Sequence, residues 1–489
     1  MTASRKQLFV QTLAVLLICI PGIPGYAQDS AARKTASPVP GSIANQDSTF
    51  ELTVQQAVDY ASKNSRQVRN ALLGIKLQHQ TNREITGSAY PQLSATGNIN
   101  YYPNVPVQSF PNFIAQATYG VLVQEGVNKG SGQPVVAPSD FGVIAAQFGT
   151  SYTASGGVDL TQLVFDGQVF VGLQARKTAM EYASKTAEVT QEQVKANVYK
   201  IYYQVVAGRQ QISTIDANIA RNEKLLSDTR EIFKNGFAEQ LDVSKAEVSL
   251  TNLRTQKSRI ENQLQTAALG LKLLIGMPSS SRLVLTDTLP EKMFTQDMVD
   301  TRFDYNERVE YEQIQLNKKL NEYNIKRYKL SYLPTLSINA NYSQLAQRNE
   351  FNIFKSGEPW YPSSYIGLRL NVPIFDGFAK DARIKTAKIQ LEQTKNSMEN
   401  LELQIDKEIN ESRLNLRSAL VTMDFQKRNM SLAEEVYNQT RLKFEQGLGS
   451  NLEITNAQAE MITAQNNYYT GLYDAIVARI ELLRVTGKL

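Results

Sequence analysis

Residues that could carry out covalent chemistry are scarce in this sequence. One histidine, His79, and one cysteine, Cys19, occur among 489 residues. Cys/His zinc sites, Cys–His dyads and disulfide frameworks therefore lack enough members. His79 would have to be the base of any Ser–His–Asp triad, and it lies in a helical stretch rich in Gln, Asn and Arg. The sequence also contains no phosphate-binding loop or nucleophile elbow. We predict a protein that is not an enzyme and needs no cofactor or metal; a carboxylate-dependent hydrolase is the weakest alternative.

Composition excludes further classes of protein. The 52 basic and 47 acidic residues balance too evenly for a nucleic-acid binder. The mean hydropathy of −0.33 excludes a membrane protein built of many transmembrane helices. Hydrophobic residues make up 42% of the chain, which excludes wholesale disorder.

The N-terminus has the parts of a secretory signal. Two basic residues precede an apolar run that is too short to span a membrane as a helix, and residues 25–27 fit a cleavage site. We therefore predict a signal peptide at residues 1–27, followed by a flexible segment at residues 28–49. A membrane anchor and a lipid attached at Cys19 are the alternatives.

Two long stretches without proline can hold long helices, because proline breaks helix interiors. None of the 16 prolines lies between Pro138 and Pro278 or after Pro373. In the second stretch apolar residues recur every seven positions with one shift of four, which is typical of a coiled-coil seam with a stutter. A helix over residues 376–446 would be about 100 Å long. The seam residues are Ile384, Leu391, Met398 and Ile405, then Ile409, Leu416, Met423, Met430, Tyr437 and Phe444.

Four other segments alternate apolar and polar residues, as strands with two different faces do. They approach the length of about ten residues that is typical of a transmembrane β-strand, although a half-buried strand of a soluble sheet also alternates. Asp159 and Arg369 lie on the polar faces and would line a barrel lumen; a position on the rim is the alternative. The four segments are residues 93–102, 157–161, 336–343 and 366–372.

The chain also repeats itself. Phe-Asp-Gly at residues 165–167 recurs at residues 375–377, and the Phe-x-x-Gly of residues 233–236 recurs at residues 444–447. The offset is 210 in the first case and 211 in the second. An offset that holds over this distance indicates a duplicated unit.

We divide the mature chain into repeat 1, residues 50–288, and repeat 2, residues 289–489. Each repeat is predicted to run helix, strand, loop, strand, long helix, glycine turn, helix. The loop between the strands is long in the first repeat, at residues 103–150, and shorter in the second, at residues 344–363. Long loops on one side are expected of outer-membrane barrels.

Four strands cannot close a barrel alone. A sheet in lipid must close so that every backbone polar group is paired, and known barrels need about eight strands or more. Two copies of this chain would give eight strands around an interior filled by side chains, and three copies would give twelve and leave room for a pore. The sequence therefore predicts an oligomer.

Short motifs then connect the chain to a known family. They are the Leu-Thr-Val-Gln-Gln-Ala start of the first helix at residues 52–57, the Tyr-Pro-Gln-Leu strand start at residues 90–93, both Phe-Asp-Gly junctions, and two glycine turns each followed by a Leu-acid pair. In this order the motifs resemble the TolC-like outer-membrane efflux proteins over nearly all of the mature chain.

The resemblance implies a fold that is mainly α with a transmembrane β portion. Four β-strands per chain would complete a 12-stranded β-barrel in a homotrimer, continued by a long periplasmic α-helical barrel. The implied function is a passive outer-membrane duct of a tripartite efflux or type I secretion system. Its implied partners are outer-membrane lipid, a periplasmic adaptor protein and an inner-membrane transporter.

The resemblance also implies two sets of site residues. The glycine turns would form periplasmic tips that dock the adaptor, and simple chain reversal is the alternative role. Asp242, Glu453 and Asn456 would line the periplasmic aperture, where carboxylates attract cations; a solvated helix face is the alternative. Phe444 and Gly449 replace the Tyr and Arg residues with which the family locks the closed state. The tip residues are Gly236, Phe237, Ala238, Gly447, Leu448 and Gly449.

A structural or adhesive coiled-coil protein of the cell surface is the alternative function. It accounts for the long helices, but it explains neither the four alternating strands nor the duplication.

Overall fold

A computed structural model describes residues 49–147, 149–289 and 303–489. The predicted signal peptide and the predicted flexible segment up to residue 48 lie outside the described residues. The helices are α1 (Val54–Asn64), α2 (Arg66–Gly87), α3 (Phe113–Gln124), α4 (Gly167–Lys234), α5 (Gln240–Ile275), α6 (Val309–Leu330), α7 (Ala379–Glu445) and α8 (Asn451–Val485). The strands are β1 (Thr49–Leu52), β2 (Gln92–Tyr101), β3 (Val107–Pro111), β4 (Val143–Gln147), β5 (Tyr152–Phe165), β6 (Arg282–Leu285), β7 (Thr335–Arg348) and β8 (Tyr361–Asn371).

The four strands predicted from alternation form one antiparallel sheet. Its order is β2-β5-β7-β8, with each strand hydrogen-bonded to its neighbours. Helices α2, α4, α6 and α7 all connect to the same end of this sheet, and the two loops between strands leave from the opposite end. We call the loop end the mouth of the sheet.

Helices α4 and α7, of 68 and 67 residues, are the long helices expected in the proline-free stretches. At a rise of about 1.5 Å per residue each is about 100 Å long. All predicted seam residues on α7 are buried or half-buried. Helix α7 begins slightly later than predicted, because Gly377 and Phe378 both adopt the left-handed conformation at a φ of 65°. The Asp376 carboxylate accepts a hydrogen bond from the Lys380 N–H at 2.9 Å, so it closes the start of this helix.

The largest hydrophobic cluster lies where α1 and the C-terminal parts of α5 and α8 pack around the middle of α4. Its central residue Tyr202 is fully buried and donates a hydrogen bond to the Leu52 carbonyl at 2.9 Å. Burial raises the pKa of the Tyr202 phenol. Strand β1, which carries Leu52, pairs in parallel with β6. The cluster therefore joins the N-terminal strand to the long helices.

Side chains cap the first turns of two helices. Thr53 and Gln56 form the capping box at the start of α1, in which each side chain accepts a hydrogen bond from the other residue's N–H. Asp166 caps α4 by accepting from the Gln168 N–H at 2.7 Å. Within residues 49–147, 149–289 and 303–489, no helix is both long enough and apolar enough to cross a membrane.

Candidate functional site

One face of the four-stranded sheet is polar across all its strands. The pairing places Ser94, Asp159 and Asn341 side by side on this face, and the Asn341 amide donates to Asp159 Oδ1 at 2.8 Å. Arg369 lies on the same face opposite Ser337, in a different row. The structure thus puts Asp159 and Arg369 on one polar face but does not pair them. This face also carries Thr96, Asn98, Asn100, Ser155, Thr161, Asn339, Ser343 and Asn371.

The opposite face of the sheet is apolar and, within the described residues, largely uncovered away from the mouth. On the outer strand β8, Ile366, Leu368 and Leu370 are 84%, 74% and 63% exposed. On β7 the apolar face runs from Leu336 to Ala346, about 33 Å along the strand. With the tilt of strands in a barrel, this corresponds to a band about 25 Å high, which is the height of the lipid-facing band in outer-membrane barrels.

Both outer strands have one unpaired edge in the described chain. Strand β2 has 10 residues and β8 has 11, so the two edges match in length. An exposed edge of this length is a template for pairing with another strand. An edge that lies in lipid must be paired, because no water can satisfy its backbone groups. The sheet is therefore built to continue into another copy.

The two glycine turns form matching helical hairpin tips, one between α4 and α5 and one between α7 and α8. Gly236 and Gly447 adopt φ values of 83° and 75°, and the next residue's N–H bonds back to a carbonyl of the preceding helix at 3.0 and 2.9 Å. This is a Schellman turn, in which a residue with positive φ ends the helix. Phe237 and Leu448, which follow the glycines, are 85% and 79% exposed. Ala238 and Gly449 are the half-buried residues that complete the two turns.

The predicted aperture residues lie directly beside the tips. Asp242, in the first turn of α5, accepts a hydrogen bond from the Glu239 N–H at 3.3 Å and thereby caps that helix. Its carbonyl accepts from the Asn451 side chain of the other tip at 3.3 Å. Glu453 and Asn456 lie one turn apart on the exposed side of α8. The structure therefore brings both tips and these polar residues to one end of the helices.

Sequence reasoning missed the continuation of this polar stripe. Glu460 lies seven residues after Glu453 and is also exposed, and the stripe continues through Thr463 and Asn467. Heptad spacing from Glu453 was the signal that could have found it. These residues lie opposite the buried face of α8, so they present a polar surface along the helix.

A second unpredicted feature is an uncovered apolar stripe on α7. The seam predicted from the heptads packs inside the chain, but Leu414, Val421, Phe425 and Leu432 are each at least 50% exposed. Their spacings of seven, four and seven residues keep them on one side of the helix. A long helix with two apolar stripes packs against partners on both sides. The part of the chain that the structure describes supplies the partner for only one of them.

A charged cluster connects four helical segments far from the tips. Arg308, which is almost fully buried, contacts Glu310 at 3.0 Å and Glu408 at 3.2 Å. Arg484 bridges Glu408 and Glu481. Although burial alone raises carboxyl pKa values, hydrogen bonds and charge from Arg308 outweigh it and lower the pKa of Glu310. The ionic cluster consists of Lys200, Arg308, Glu310, Glu408, Glu481 and Arg484.

The same balance lowers the pKa of Glu481, where the hydrogen bonds and charges of Arg484 and Lys200 outweigh burial. Within the described part of the chain, no group of three or more His, Cys, Asp or Glu side chains could hold a metal ion.

Comparisons with known proteins agree in sequence and in fold. The family model described as outer membrane efflux protein matches residues 57–277 and 310–488. The outer membrane protein TolC of Vibrio cholerae is 20% identical over 340 residues, which cover 68% of this chain and 77% of that protein. The proteases secretion protein PrtF of Dickeya chrysanthemi is 21% identical over 340 residues, which cover 68% of this chain and 72% of that protein. A crystal structure of CusC matches with a TM-score of 0.69 at 15% identity, and the match covers 94% of this chain and 98% of that one.

Proposed function

The chain belongs to the outer membrane efflux protein family, and we propose that three copies of it form the passive outer-membrane duct of a tripartite efflux or type I secretion system. As a member of this family it is an outer-membrane channel protein of efflux or secretion systems. The observation that carries the proposal is the two-faced sheet with two open edges.

Self-association follows from that sheet. The β8 edge of one copy pairs with the β2 edge of the next, so that the apolar faces meet lipid and the polar faces line a wet lumen. Three copies supply twelve strands, enough for an open lumen. The exposed stripe of α7 supports the same assembly, because the neighbouring copy would cover it. We place Asp159 and Arg369 in the lumen, and we place the boundary between the duplicated units at residue 289.

The partners of the duct follow from the tips. Each tip presents an exposed apolar side chain beside small residues, which suits close approach of another helical hairpin. We assign this contact to a periplasmic adaptor that connects the duct to an inner-membrane transporter. The name of the family favours efflux, and the name of the relative PrtF favours secretion of proteases.

The aperture of the duct would lie at the end that carries the hairpin tips. Three copies would bring the side chains of Asp242, Glu453 and Asn456 into rings around the axis. Rings of carboxylates at a narrow opening attract cations and repel anions. We therefore propose a cation-selective aperture, extended along α8 by Glu460.

The experiment measures assembly and conduction together. The full chain is expressed in an outer membrane and extracted in detergent. Its native mass is then determined, and it is reconstituted in planar bilayers. We expect a trimer that needs detergent and conducts ions. Phe425→Arg on the exposed stripe should weaken the trimer, whereas Ser431→Arg, at an exposed position about 120° around the helix from Phe425, should not. A folded monomer in plain buffer without conductance would refute the duct and favour the coiled-coil surface protein.

A further inference from the structure

The loop between β2 and β5 is a large, nearly uncharged insertion. We define the insertion as residues 103–150; it contains the β3–β4 hairpin and helix α3. Its only charged residues are Glu125, Lys129 and Asp140. Helix α3 has no charged residue, and none of its residues is buried. Such a segment is unusual in a loop that is exposed to water.

The exposed surface of the insertion is strongly apolar. Ile114 and Val121 lie along one side of α3 and are 57% and 59% exposed. Val136 and Val143 are 72% and 75% exposed. A helix that is apolar on all sides is normally buried, and contiguous apolar patches on a surface mark interaction sites. The insertion therefore lacks a covering partner among residues 49–147, 149–289 and 303–489.

The rest of the described chain does not supply that partner. Within the insertion, β3 pairs with β4, and the rings of Tyr119 on α3 and Phe141 lie with their centroids 5.7 Å apart. At the mouth, the apolar face of the sheet is already covered by the second loop and is not open to the insertion. Its residue Ile353 is buried in a cluster with Ala154 and Ala346.

Charge argues against lipid headgroups as the partner. A surface that docks on phosphate-bearing headgroups uses clusters of Lys or Arg, and the insertion carries Lys129 alone. An uncharged apolar surface is complementary to a second copy of itself. The position of the insertion favours the same partner, because its chain leaves from Tyr101 at the end of the edge strand β2, where the next copy would pair.

We propose that the insertions of three copies pack together through these apolar surfaces and form a cap over the mouth of the barrel. The inference rests on the trimer of the proposed function. The cap narrows the outer opening, and a substrate leaving the duct passes between the three insertions. The duct would then have a constriction at its outer end, separate from the aperture at the helical tips.

Spin labels distinguish a central cap from insertions that spread outward. Val121→Cys and Ile366→Cys are labelled separately in the detergent-extracted full chain, whose predicted mature form has no other cysteine. Pulsed electron resonance then gives the distance between copies. We expect a shorter distance for Val121 than for Ile366, which lies on the apolar face of β8. An equal or longer distance for Val121 would overturn the cap. A trimer with that result leaves the duct standing, whereas no inter-copy distance at either position refutes the trimer and the cap together.

Conduction gives an independent test. Replacing residues 106–147 by a short Gly-Ser linker should raise the single-channel conductance, because the constriction is removed. Val121→Lys keeps the insertion but places like charges where the three copies meet, so it should raise conductance in the same direction. Unchanged conductance in both variants, with trimers intact, would overturn the proposal.

Discussion

Arginine substitution at Ile366 tests the orientation of the sheet. Ile366 lies in the middle of β8, opposite Ala340, on the apolar face and is 84% exposed in the single chain. If this face meets lipid near the bilayer centre, Ile366→Arg costs about 2–4 kcal/mol per copy. That is roughly a 30- to 700-fold change in the folding equilibrium.

Two further variants make the result specific. The neighbouring residue Tyr365 points to the polar face, opposite Asn341, so Tyr365→Arg meets water and should cost little. Leu370 lies on the apolar face but near the helical end of β8, so Leu370→Arg should cost only about 0–1 kcal/mol.

The assay is reversible unfolding by denaturant of the chain folded into lipid vesicles, followed by circular dichroism and by migration in gels. The free energy of unfolding should fall more for Ile366→Arg than for Leu370→Arg, because Ile366 lies deeper in the bilayer. For Tyr365→Arg on the polar face it should stay near the parent value. Equal costs for Ile366→Arg and Tyr365→Arg would refute the assignment of the two faces. A larger cost at Leu370 than at Ile366 would refute the position of the bilayer.

Four more outcomes are expected. Glu453→Ala should lower the cation selectivity of the reconstituted channel, and unchanged selectivity removes this residue from the aperture. Phe237→Ser should weaken binding of the cognate adaptor in a pull-down without changing the melting temperature. The control Leu273→Ser, at a similarly exposed position at the other end of α5, should leave binding intact. Equal losses of binding in the two variants would contradict docking at the tips. Gly276→Ala should lower the melting temperature more than Gly236→Ala. Both glycines have positive φ, but only the new methyl group at residue 276 would clash with backbone, at the Asn64 carbonyl. A larger loss for Gly236→Ala would contradict this packing. The ionic cluster lowers the pKa of the Glu310 and Glu481 carboxyls below the usual value for glutamate. The cluster therefore stabilises the fold fully above the usual glutamate pKa, and this stabilisation declines below about pH 4. A melting temperature that does not fall in acid would contradict this contribution of the cluster.

Periodicity explains why so much of the fold could be predicted. Apolar and polar residues alternate with a period of two in the four strands, and apolar residues recur every seven positions along the seam of α7. Each period is typical of one kind of secondary structure, so each pattern predicts its own element. The glycine turns and the capping residues Thr53, Asp166 and Asp376 act within a few residues of themselves. Local geometry decides where such turns and caps form, and the structure shows the capping hydrogen bonds of all three residues.

Other features depend on contacts between distant residues. The pairing of β1 with β6 joins two four-residue strands that are far apart in the chain, and segments so short carry no periodic signal. The residues of the ionic cluster come from four helical segments, and their spacing in the sequence does not predict that they meet. The insertion looked like a simple loop because its glycines and prolines suggested turns, yet it contains a hairpin and a helix.

By itself, the sequence determined which residues share a face of a strand or a helix, because covalent geometry sets those periods. It therefore determined that four strands with one apolar and one polar face precede and follow long helices. Only the tertiary structure decided which strands lie at the edges, which apolar stripe of α7 is covered within the chain, and where the ionic cluster forms. Those properties depend on how remote segments pack in space, and packing is a balance of burial and pairing over the whole molecule rather than over any local window.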